Sequence, residues 1–182
     1  MAKQTLPDEI LWGQAASIIN ANFTELYGAF GWAQYADTQY TVGAPFSVAA
    51  NTDTILPNNA GNNIETQKPL DVDTFYDGTV ITGRNGDGIA ITVDLLAVPT
   101  NANTSFVEIW FDIGSGQDLY KRIITFPKGN GVVRPINFSV SGYTLNTWEA
   151  NGATVKVRAD NTVDLYDIRY VITRTSKAKP VG

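Results

Sequence analysis

The chain has 182 residues, 43% of them hydrophobic and 17% charged, with a formal net charge of −5. That is the balance of an ordered globular protein, long enough for one well-buried domain and an appendage. It has no cysteine and no histidine, which removes disulfide frameworks, Cys/His zinc sites, thiol nucleophiles and histidine general bases.

Read from its start, the chain has no apolar run long enough for a transmembrane span. Met1-Ala2-Lys3-Gln4 leads into a helix without the apolar core of a signal peptide, so synthesis in a cytoplasm without membrane insertion is expected. The helix is predicted over Leu6–Phe30, with Pro7 at a first-turn position and Asp8 and Glu9 at the positive end of its dipole. Trp12, Ala16, Ile19, Phe23, Leu26 and Phe30 follow at spacings of 4, 3, 4, 3 and 4, a heptad seam of the kind that faces a partner helix. Leu11, Ala15 and Ile18 form a second stripe, and small neutral residues fill most of the rest. Such a helix is expected to be enclosed on more than one side, by further copies of itself and by another protein in preference to packing on its own domain alone.

Gly28 and Gly31 end the helix, and Trp32–Tyr40 reads as a neck with too little pattern for an element. From Val42 onward the periodicity is two. Phe46, Val48 and Ala50 alternate, Thr54–Leu56 follow a turn, and residues 57–63 form a polar loop. Phe75, Tyr76, Val80 and Ile81 suggest a strand, closed by a hairpin signal at Asn85-Gly86-Asp87-Gly88 in which Asp87 is only a turn acid. Ile89, Ile91, Val93, Leu95 and Ala97 share one face of the clearest strand. Val107, Ile109, Phe111 and Ile113 share an apolar face of the next, whose other face mixes Phe106 and Trp110 with Glu108 and Asp112 and suits a contact between subunits. Strands are further expected over Leu119–Phe126, through Val133, Ile136, Phe138 and Val140, at Val155 and Val157, and through Tyr166, Ile168, Tyr170 and Ile172. Leu145 and Trp148 sit in a loop or short strand. Short strands between Gly/Asn/Pro turns, with no crossover helices, make the fold mainly β, an antiparallel sandwich or barrel carrying one N-terminal α-helix. The expected division is residues 1–41 for helix and neck, 42–176 for the β head and 177–182 for a polar tail.

Candidate chemistry is sparse. Asp71, Asp73 and Asp77 lack the spacing of a calcium loop and read as solvated turn acids. Glu108 and Asp112 lie about 13 Å apart along one strand at about 3.3 Å per residue, too far for a retaining glycosidase pair. Gly83–Gly88 lacks the Lys-Ser/Thr ending of a phosphate loop and opens a strand. Two basic against nine acidic residues in 1–83, and eleven against nine in 84–182, give no basic face for nucleic acid. Lys121, Arg122, Lys128 and Arg134 read as edge charges that discourage sheet-to-sheet pairing. Tyr143 and Trp148 could stack on sugar rings or pack in the core. No catalytic residue, cofactor or metal is expected.

Ile19-Asn20-Ala21-Asn22-Phe23-Thr24-Glu25-Leu26-Tyr27 resembles the IN-x-NF-x-ELY helix found near the N-termini of many phage fibre and decoration proteins. Val42–Arg174 resembles, in pattern and length, the trimeric jelly rolls of the C1q and tumour-necrosis-factor type that recur as phage fibre heads. Together these resemblances imply a homotrimeric, non-enzymatic protein of the virion, made in the host cytoplasm. Its helix would attach a jelly-roll head to a capsid or tail protein. No long repetitive shaft is present, which favours a capsid decoration or short fibre. The alternative is a tail-fibre head that recognises a host-surface glycan.

Overall fold

A computed structural model describes residues 12–127 and 131–178. The predicted start of the helix, with Pro7, Asp8, Glu9 and Leu11, lies outside these residues, as do Lys128 and Lys179. The order of elements is α1 (Trp12–Gly28), β1 (Gly31–Ala36), β2 (Phe46–Val48), β3 (Thr54–Ile55), β4 (Asn62–Ile64), β5 (Gly88–Pro99), β6 (Phe106–Asp112), β7 (Leu119–Thr125), β8 (Arg134–Tyr143), α2 (Asn146–Asn151), β9 (Thr154–Ala159) and β10 (Val163–Ser176). The strands form two antiparallel sheets, ordered β4-β1-β10-β5-β8, with β2 also on β10, and β3-β9-β6-β7. The fold is an antiparallel jelly-roll sandwich with an N-terminal helix: the strand periodicity predicts an antiparallel β fold, and the resemblance of Val42–Arg174 implies the jelly roll.

The core lies between the sheets. Every second residue of β5 from Ile89 to Ala97 is buried, and these meet Val107, Ile109 and Phe111 of β6 and Val155 and Val157 of β9. Burying each of the larger aliphatic or aromatic side chains is worth about 1.5–3 kcal/mol. Phe111 stacks across the gap on Phe138 of β8 at 5.2 Å. A second aromatic group, Tyr76 edge-on to both Tyr35 and Tyr170, holds the long excursion between β4 and β5. Its hydroxyls are used: Tyr170 donates to the Leu56 carbonyl and Tyr76 to the Asn58 carbonyl, each at 2.9 Å.

Several elements differ from the sequence-based expectation. The supposed neck contains β1, which pairs with β10 along its whole length and buries Ala33 and Tyr35. Small and polar residues hide its alternation. Phe75–Ile81 is not a strand but a tight turn with one bridge, Tyr76 to Ile81, because the Asp77 carboxylate accepts the Thr79 and Val80 N–H groups. The Asn85–Gly88 turn opens β5 but forms no hairpin, since β5 pairs with β8 and β10. The polar loop at 57–63 ends in β4. Leu145 and Trp148 belong to the α2 turn, with Trp148 inside it. In β10 a bulge at Asp167, with φ of 53°, switches the inward set from Val163 and Leu165 to Ile168, Tyr170 and Ile172.

Candidate interaction surface

All six predicted seam residues lie on the exposed side of the helix or just beyond its end. Trp12 is 92% exposed, Phe23 50%, Leu26 57% and Phe30 49%, and Ile19 and Ala16 are exposed between them. The second stripe behaves differently, with Ala15 buried and Ile18 half-buried. Within α1 the one charged residue is Glu25. Phe23 stacks on Tyr27, one turn further on, at 5.9 Å, which widens the apolar surface. In a single copy, then, the helix is not enclosed around its seam.

The helix joins the sandwich through close backbone contacts. The Leu70 N–H donates to the Gly28 carbonyl at 3.0 Å, and the Trp32 N–H to the Gln67 carbonyl at 2.9 Å. A Cβ at Gly28 would stand 2.7 Å from a Leu70 methyl, and one at Gly31 2.2 Å from the Gln67 carbonyl oxygen. Glycine at both positions lets the chain pass this close.

The outer faces of the two sheets contrast. On the smaller sheet Lys156 pairs with Asp112 at 2.6 Å, and Lys121 with Glu108 and Asp118 at 3.4 and 2.8 Å. The hydrogen bond from Lys156 and the Gly114 N–H hold the Asp112 carboxyl below its ordinary value. Trp110, expected at a subunit contact, is 1% exposed, with Lys121 Nζ 4.6 Å over its ring. Its own chain covers it, while Ile55 and Ile123 on the same face are exposed. The larger sheet presents rows of uncharged and mostly small side chains: Trp32, Thr173, Ala90 and Ser141 in one, and Gln34, Val171, Thr92 and Ser139 in the next. Among the described residues its ion pair is Arg169–Asp94, at 3.0 Å.

The acidic candidates separate into structural roles. Asp77 caps its turn, whereas Asp71 binds Arg84 at 2.9 Å and Lys177 at 3.0 Å. Burial would raise the Asp71 carboxyl, but hydrogen bonds from Arg174 and Lys177 outweigh it and hold the group at about 2. Among the described residues no group of three or more acidic side chains could hold a metal. Glu108 and Asp112 each turn to a lysine rather than to each other. Trp148 is in the core and donates to the Ile81 carbonyl at 2.9 Å, while Tyr143 is 71% exposed. Asp87, read as a turn acid, is buried beside Arg174, at 3.3 Å. Arg174 was legible only through parity: it continues the inward series Ile168, Tyr170 and Ile172.

No protein-family model and no curated sequence matches the chain. Among solved structures, Eiger TNF from S. frugiperda matches 85% of this chain and 98% of its own, with a TM-score of 0.50 and 8% identity. This is a likeness of fold. The PRD1 vertex protein P5 matches 81% of this chain and 73% of its own, with a TM-score of 0.45 and 14% identity. The top component of CPMV matches 83% of each chain, with a TM-score of 0.25 and 12% identity. Scores this low carry no inference about the present chain. None of the described helices is long and apolar enough to cross a membrane.

Proposed function

We propose that this protein is a non-enzymatic structural component of a phage particle, a homotrimeric capsid decoration or short fibre. The observation that carries the reading is the exposed seam of Trp12, Ile19, Phe23 and Leu26, continued by Phe30 just beyond the helix, on an α1 whose described residues include one charge. Apolar side chains that a single chain leaves in water mark a surface that is buried in an assembly. The resemblance of Ile19–Tyr27 to phage attachment helices gives that assembly its setting. Helices of three copies meet along the seam, and the two uncharged rows on the outer face of the larger sheet supply the head's share of the contact. A capsid or tail protein takes the N-terminal end.

Three experiments test the proposal. Peptide mass fingerprinting of purified particles from the encoding phage finds the chain in the particle, and its absence there contradicts the reading. Phe23→Asp places a carboxylate in the seam, so light scattering gives the mass of one chain while circular dichroism retains the β signal. An unchanged trimer mass contradicts the seam. Binding of the protein to a glycan array, with none to capsids, would favour a receptor-binding head instead.

A further inference from the structure

Arg174 stands at an inward position near the end of β10, in a register row with Gly31, Ile89 and Gly142. It is 2% exposed, yet none of its bonds goes to the hydrophobic core. Nε donates to the carbonyl of Ala29 at 2.6 Å, just past the helix. One terminal nitrogen donates to Asp71 at 2.5 Å and the other to Asp87 at 3.3 Å. Asp71 is also held by Arg84 and Lys177, and Asp87 accepts the Ala178 N–H at 2.8 Å. The cluster therefore ties together the end of the helix, the segment around residue 71, the turn before β5 and the end of β10. The last turn of a helix presents unpaired carbonyls and a partial negative charge, so a cation placed there is favoured on both counts.

A buried, fork-shaped cation with partners on separate segments is a geometric constraint rather than a large source of stability. Buried ion pairs gain little net energy, but losing one partner leaves an uncompensated charge. We propose that Arg174, Asp71 and Asp87 form a clamp that fixes the direction of α1 relative to the sandwich. The helix is thus a rigid lever and not a tethered appendage. This is a property of one copy, whatever α1 binds.

The absence of cysteine makes the test direct. Nitroxide labels on Gln14→Cys and Gln117→Cys, both exposed positions, report the helix-to-head distance by double electron–electron resonance. Diluting labelled chain into unlabelled chain keeps the distance within one copy. The clamp predicts one narrow distance peak in the parent and loss of that peak in Arg174→Gln and Asp71→Asn, with the β circular dichroism signal retained. Asp71 is partly exposed, so its substitution decides the matter where Arg174→Gln fails to fold. A broad distribution in the parent overturns the rigid lever, and a narrow peak surviving in Asp71→Asn overturns the clamp.

Discussion

Phe23 and Phe111 are the same side chain in opposite surroundings, half-exposed on the helix and fully buried between the sheets. The sandwich completes its core from its own residues, with Phe111 against Phe138 and Trp148. The helix carries a seam of comparable side chains and leaves it open. One region has closed its core, and the other, on the reading proposed above, is half of an interface. Apolar content alone does not separate them, because both sequences are rich in large apolar residues.

Substitution is the sharpest way to break this comparison. Phe111→Ala should cost the head about 3–5 kcal/mol, read by guanidinium denaturation, as expected for an emptied core site. Phe23→Ala should change the unfolding free energy by less than about 0.5 kcal/mol per chain, measured at a concentration where the protein is dissociated. An equal loss at both sites would make the helix part of the head's core. Acid gives a smaller, local effect. Asp71 has a folded value of about 2, below that of a free carboxylate, so its stabilisation is complete above the unfolded value near 4 and is lost as pH falls towards 2. Asp71→Asn should remove this part of the acid-induced loss, and an identical acid limb in the variant would contradict it. The least effect is expected on the charged face of the smaller sheet. Lys156→Gln breaks a half-exposed pair and should cost under about 1 kcal/mol, less still in high salt.

What the sequence revealed follows from how local each signal is. Strand β5 was legible because its alternation runs from Ile89 to Ala97 unbroken, and each inward residue is buried. Strand β1 was not, because Gly31, Ala33 and Gln34 give no strong pattern and its place is set by pairing with a strand more than a hundred residues away. The Phe75–Ile81 stretch misled because its apolar residues are buried, but through packing and an aspartate-capped turn rather than a ladder. Trp110 misled in the opposite sense. Its parity puts it on the outer face, and a bulge in the pairing with β7 brings Lys121 over it. The seam from Trp12 to Leu26 has a local signature, its heptad spacing, and those residues are exposed on α1 with Phe30 just beyond its end, while the Arg174 cluster joins residues scattered from 29 to 178 and has no local signature.

Light scattering on the whole chain, beside a chain that begins at Gly28 and so retains β1 and the bonds of Gly28 and Ala29, tests the central claim most directly. The account predicts three times the chain mass for the first and a single chain mass for the second. A single chain mass for the whole protein, or an undiminished trimer without the helix, would contradict it.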